Sequence, residues 1–229
     1  MKSVLSIALL LALTACSSND NDNDADDNAG LSIRYQVEIT NLTHAQPFSP
    51  PVIILHDESF QAWTTGEAAS TALEVLAEGG DSSELIAASG STANFRGNGE
   101  LLAGTSLRFE IGTNDSSYNH LTLATMLVNS NDAFSGLANI DVGALQQGDK
   151  RVYLTPGYDA GTEFNDELAS TVPGPAGGGE GFNKARDDVT TSVTYHGGIV
   201  SKDDGYTAST LSEADRFDNP VMRIEITRL

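Results

Sequence analysis

The sequence predicts an all-β fold, an antiparallel two-sheet β-sandwich with one or two short helices, and three observations predict it. Apolar and polar residues alternate in several short runs, turn-forming residues separate those runs, and only one stretch carries a convincing helical period. Ile33, Tyr35, Val37 and Ile39 form the first alternating run, Leu107, Phe109 and Ile111 a second, and Met222, Ile224 and Ile226 the last. Each puts one face on a core and the other in water, as a half-buried antiparallel strand does. Val52 to Leu55, Leu121 to Val128, Lys150 to Leu154 and Val189 to Tyr195 are further strand segments. A helix is expected from Gly66 to Glu78, with Thr65 as its cap, Ala69, Leu73 and Leu76 on one face and Gly79 as its stop; a shorter one is expected from Ser83 to Ala88. Many strands with little helix favour two packed sheets whose loops gather at the sandwich ends. Pro173 to Gly181 (PGPAGGGEG) reads as a loop inside that domain, because the strand pattern resumes beyond it.

Three segments divide the chain: a signal over residues 1–15, an acidic tether over 16–30 and one domain over 31–229. Met1-Lys2 is a short basic start, Val4 to Leu13 a short apolar run, and Leu13-Thr14-Ala15-Cys16 has the small-residue pattern of a bacterial lipoprotein signal. The apolar run is far below the ~20 residues that cross a bilayer, so it is a processing segment. Cleavage before Cys16 would leave 214 residues beginning at the chain's single cysteine, the expected site of lipidation. Several acyl chains on one residue anchor a protein stably. Ser17, rather than Asp, follows Cys16, which favours sorting to the outer membrane. Residues 19–28 (NDNDNDADDN) carry five Asp and cannot form a core, so they are expected to be a disordered spacer. An EF-hand loop beginning at Asp20 would need Gly and Glu where Ala25 and Leu31 stand.

Residues 31–229 hold 11 basic and 27 acidic residues, a net charge of −16, in a span long enough for a sizeable core. That balance excludes nucleic acid as a partner, whose affinity comes mainly from neutralising phosphates with Lys and Arg. It also opposes docking on anionic lipid, unless calcium bridges the two.

Two short acidic segments stand out, Asn131-Asp132-Ala133-Phe134 and Tyr158-Asp159-Ala160-Gly161-Thr162-Glu163, each just past a strand-like run. Asp159 and Glu163 would share a face of a helix, but Pro156, Gly157 and Gly161 argue for a loop that curls around an ion. Asp132 lies 27 positions before Asp159 and needs the fold to bring it near. With no Cys or His beside these acids, oxygen ligands suit a hard cation, and calcium, which accepts about 6–8 oxygens in flexible geometry, fits better than magnesium with its strict octahedron. The alternative is that Asp132, Asp159 and Glu163 are solvated loop acids, the commoner use of such residues.

With their flanks, Leu127 to Gly136 (LVNSNDAFSG) and Leu154 to Glu167 (LTPGYDAGTEFNDE) resemble the two signature segments of the spondin N-terminal domain, in its bacterial single-domain form. The resemblance extends more weakly from Arg34 to Arg228, with Tyr195-His196-Gly197-Gly198-Ile199 similar to a third segment. It implies a sandwich resembling calcium-dependent phospholipid-binding domains, with one calcium ion held by Asp132, Asp159 and Glu163. It also implies an extracellular matrix or adhesion role. Two departures stand out: Glu163 where the animal domains carry Asp, and Phe134 where a Trp is usual.

Other chemistries find less footing. The sequence contains no G-x-S-x-G elbow, no H-E-x-x-H pair and no phosphate-binding Gly-rich loop after a strand, and no catalytic residue is assigned. His56-Asp57-Glu58 reads as a turn rather than a base with its orienting acid, and His196 as a hydrogen-bonding residue near the loops rather than a ligand. Trp63 and Tyr158 suit core packing or loop anchoring more than a sugar surface. The expected protein is a lipid-anchored, calcium-binding envelope module for adhesion to an extracellular protein or matrix ligand, and not an enzyme. The competing expectation is a metal-dependent envelope hydrolase, in which a bound ion with an open position activates water.

Overall fold

The computed structural model describes residues 28, 30–186 and 189–229; Cys16, the signal segment and residues 19–27 lie outside the described residues. In chain order the strands are β1 (Ile33–Asn41), β2 (Val52–His56), β3 (Asn94–Arg96), β4 (Ser106–Thr113), β5 (His120–Met126), β6 (Ala133–Asp141), β7 (Lys150–Thr155), β8 (Tyr158–Asp159), β9 (Thr194–Tyr195) and β10 (Met222–Arg228). Two α-helices, α1 (Thr71–Gly79) and α2 (Ser83–Ser89), stand between β2 and β3. The strands make two antiparallel sheets, one in the order β4-β1-β10-β7 and one in the order β3-β2-β5-β6-β8-β9, so the fold is an all-β two-sheet sandwich.

The alternating runs form the four-stranded sheet. Val37 pairs with Ile226 and Ile39 with Ile224 across β1 and β10, all four fully buried, while Gln36, Glu38 and Arg223 on the other face remain partly exposed. Their inner side chains meet Ile53, Leu55, Leu121 and Leu123 of the opposite sheet in the main core. The six-stranded sheet is covered on both faces, which is why β2 is buried along its whole length and reads as an unbroken apolar run. Its outer face carries a second core in which Val52, Ile54 and Phe134 pack against Leu73 and Leu76 of α1 and Leu85 of α2.

Three expectations are corrected. The first helix begins at Thr71 rather than Gly66, because Gly66 takes φ +93° and donates its N–H to Val193 O at 2.8 Å while Glu67 O accepts Val193 N–H, which holds Gly66 and Glu67 in a turn outside the helix. Ser70 is the cap, its Oγ accepting Leu73 N–H at 3.2 Å, and Gly80 in the left-handed region ends the helix. The strand expected over Val189 to Tyr195 shrinks to β9, because Thr191 N–H donates to Gly161 O and Val193 N–H to Glu67 O, both at 2.8 Å, so these amides serve loops. Strands β3, β6 and β8 were not expected. In β6 a Cβ on Gly136 would lie 1.9 Å from Leu123 O, so only glycine lets β6 approach β5 here.

Candidate functional site

The turn between β5 and β6 is closed locally. Leu127 N–H donates to Ala133 O at 2.8 Å, and Ser130 Oγ donates to Leu127 O at 2.6 Å while accepting Ala133 N–H at 3.1 Å. The turn therefore presents Asn131 and Asp132 at the sheet end, buried to 1% and 0% exposure. Strand β8 pairs beside it with Ala133 opposite Asp159, and Ala160 N–H reaches Asp132 O at 3.3 Å. The chain then turns at Gly161, whose φ of +70° and contact with Ser192 O, 2.7 Å from where a Cβ would stand, admit only glycine. This turn aims the N–H groups of Thr162 and Glu163 at Asp132 Oδ2, at 2.9 and 3.2 Å. The fold thus closes the gap between the two acidic segments.

Asp132 Oδ1 is buried with no hydrogen-bond partner among the described residues. Burial first, and the nearby Asp159 charge second, push the Asp132 carboxyl up to about 6, against the lowering effect of the two backbone N–H groups. Asp159 is half-buried; its Oδ1 accepts Gly161 N–H at 2.8 Å and its Oδ2 accepts Asn165 Nδ2 at 2.6 Å. Glu163, 8% exposed, is met at 3.3 Å by Nη2 of Arg186, which also donates to Glu78 Oε2 of α1 at 2.6 Å. Asn131 is turned to other work: its Oδ1 accepts Glu167 N–H at 3.2 Å and its Nδ2 donates to Asp166 Oδ1 at 3.2 Å. Among the described residues, no three His, Cys, Asp and Glu side chains are gathered closely enough to hold a metal ion as they stand. The donor chemistry fits a hard cation nonetheless: Asp132 Oδ1 has a buried lone pair that no donor among the described residues takes up, and the neighbouring candidates are carboxylates.

Sequence reasoning missed Glu78, Arg186 and Glu167. Glu167 is 2% exposed at φ +55°, and its Oε1 accepts Val200 N–H at 3.2 Å. Burial, with Asp166 and Asp132 adding to it, pushes its carboxyl up to about 7. The adjacent acids Asp166-Glu167 were visible, but nothing local marks which of them turns inward. His196 is buried; its Nδ1 accepts Gly198 N–H at 3.0 Å, its ring lies 5.1 Å from that of Phe217, and its Nε2 has no partner among the described residues. Burial lowers its pKa while the Asp159 charge opposes that shift.

The remaining candidates sit in packing. His56 lies at the far end of β5 from the acids, with Nε2 2.8 Å from Thr122 Oγ1 and Nδ1 2.6 Å from Asp57 O. Trp63 packs edge-on to Phe134 with centroids 5.0 Å apart, Phe134 stacks on Tyr158 at 5.3 Å, and Tyr158 stacks on the exposed Tyr195 at 5.5 Å. This ring series backs β8 and holds Asp159 against the β5–β6 turn.

Fold and site together define a class, the all-β two-sheet sandwich with a buried acidic cluster at one end. Beyond that class, no protein-family model matches the chain and no curated protein matches it.

Proposed function

We propose that this chain is a lipid-anchored envelope protein whose sandwich binds calcium through Asp132, Asp159 and Glu163 and serves as an adhesion or extracellular binding module. Asp132 carries the ion reading. A fully buried carboxyl with one oxygen held by two amides of the facing acidic loop and the other oxygen unpartnered is costly unless it is protonated or binds a cation. The resemblance of Leu127 to Gly136 and Leu154 to Glu167 to spondin N-terminal domains supports the same ligands and supplies the adhesion role. Cys16 supplies the anchor, with the acidic run as spacer and the outer membrane as destination. Calcium would neutralise the cluster and draw the β5–β6 turn and the loop after β8 together.

The test is thermal unfolding in calcium and in chelator. Calcium at about 100 times its dissociation constant should add roughly 2.7 kcal/mol. Asp132→Asn and Asp159→Asn should each abolish most of that gain, and Asp20→Asn none of it. A melting temperature indifferent to calcium and chelator, with no ion found by elemental analysis, removes the site. For the anchor, Cys16→Ser should abolish acylation, read by mass spectrometry, and leave the domain folded.

A metal-dependent hydrolase is the second reading, and one observation favours it: the buried Nε2 of His196, without a hydrogen-bond partner among the described residues, under the influence of Asp159. A hydrolytic activity lost in His196→Ala, with calcium still bound and the melting temperature unchanged, would establish it. Calcium-dependent attachment to a matrix component without its turnover establishes the binding module.

A further inference from the structure

We infer that Arg186 is a resident counter-ion of the acidic cluster that competes with the cation for Glu163 and thereby sets the affinity of the site. This rests on the ion-site reading above and adds a residue to it that neither acidic segment contains. Arg186 follows the Gly-rich loop and folds back over the end of α1, where its Nη1 donates to Gly181 O at 3.4 Å. Its Nη2 lies 2.6 Å from Glu78 Oε2 and 3.3 Å from Glu163 Oε2, so one guanidinium nitrogen is shared between two carboxylates that are 0% and 5% exposed in their side chains. The Arg186 side chain is itself only 18% exposed.

Three features make this a competition rather than a plain ion pair. Glu163 is the one proposed ligand that already faces a cation, whereas Asp132 Oδ1 faces none among the described residues. A guanidinium and a divalent ion drawn to the same carboxylate repel each other, and a mostly buried site screens that repulsion poorly. The shorter contact is to Glu78, so Arg186 retains a partner when Glu163 turns to the ion, and the exchange leaves no buried guanidinium stranded. Glu78 thus acts as a parking place: the more firmly it holds Arg186, the more freely Glu163 can serve the ion.

The two acids predict opposite effects of two neutral substitutions, which a merely structural role for Arg186 does not. Calcium chloride is titrated by calorimetry into the wild-type domain, Arg186→Gln and Glu78→Gln, each checked for folding by circular dichroism. Arg186→Gln should bind calcium at least about fivefold more tightly, the low end for two coupled sites, and Glu78→Gln at least about threefold more weakly because the closer of the two carboxylates that share Nη2 is then neutral and Arg186 is drawn more strongly to Glu163. Equal affinity in all three proteins, or weaker binding in Arg186→Gln, overturns the competition while leaving the ion site in place. Binding by Arg186→Gln alone supports it in the strongest form. Binding by none of them overturns both the site and the role of Arg186. If Arg186→Gln does not fold, Glu78→Gln decides: unchanged or tighter binding refutes the competition.

Discussion

Across β1 and β10, Ile39 faces Ile224 and Val37 faces Ile226 with no solvent and no charge between them, whereas at the end of β5 and β8 the buried residues are Asn131, Asp132, Glu163, Glu167 and His196. Both regions are buried, but burial has opposite consequences. Apolar side chains gain from it whatever the pH or ion content of the medium. Carboxylates lose hydration, and their contribution depends on whether a proton, a guanidinium or a metal ion replaces the water. One end of the molecule is therefore an unconditional scaffold and the other a conditional site, and a responsive loop cluster can be carried without putting the fold at risk.

The largest effect that tests this contrast is a cavity in the scaffold. Ile39→Ala or Ile224→Ala should each cost about 2–5 kcal/mol in urea unfolding, since each side chain is fully buried in the main core. The loss should be the same in calcium and in chelator. A deficit that shrinks when calcium is added would break the contrast, because it would mean that the ion stabilises the four-stranded sheet as well.

Next in size is the pH response of the conditional end. Glu167 is raised from its ordinary 4.5 to about 7, so its protonated form is the one the fold favours. Its stabilising contribution is complete below about pH 4.5 and is lost as pH rises through 7, a change of up to about 3 kcal/mol. Unfolding measured in chelator should accordingly show lower stability at pH 8 than at pH 5. Glu167→Gln should remove most of that slope, leaving the smaller share owed to Asp132, which is raised to about 6. A slope unchanged in Glu167→Gln would place the pH sensitivity elsewhere.

The same contrast explains what the sequence made legible. Val37, Ile39, Ile224 and Ile226 are visible because each strand has one dry face and one wet face, and period two is local. The six-stranded sheet lacks that cue. Residues 133–141 (AFSGLANID) show no alternation because Phe134 and Ala133 are both covered, one by α1 and the other by the main core. The helix start was misplaced because what holds Gly66 and Glu67 out of the helix, their two backbone bonds to Val193, is long-range. At the site, the Asp132 and Glu163 segments were conspicuous through composition, and the register of β6 with β8 brings them together. Arg186 and Glu78 were invisible because their pairing spans 108 residues and neither stands in a distinctive local pattern.

The smallest effect sharpens where the two regions meet, which is α1. The helix begins at an ordinary cap, Ser70 Oγ accepting Leu73 N–H at 3.2 Å, and ends at Gly79, just past Glu78, which holds Arg186. Ser70→Ala leaves one backbone N–H at the helix start without its acceptor and should cost about 1 kcal/mol. The loss is local to the first turn, where fraying is cheapest, while Leu73 and Leu76 keep the rest of the helix on the six-stranded sheet. Stability should therefore fall equally with and without calcium, and the calcium dissociation constant should stay within about twofold of wild type, well under the fivefold expected of coupled sites. A Ser70→Ala protein that binds calcium several-fold more weakly would show instead that α1 transmits strain along its length to Glu78 and Arg186, and that the helix belongs to the site as much as to the scaffold.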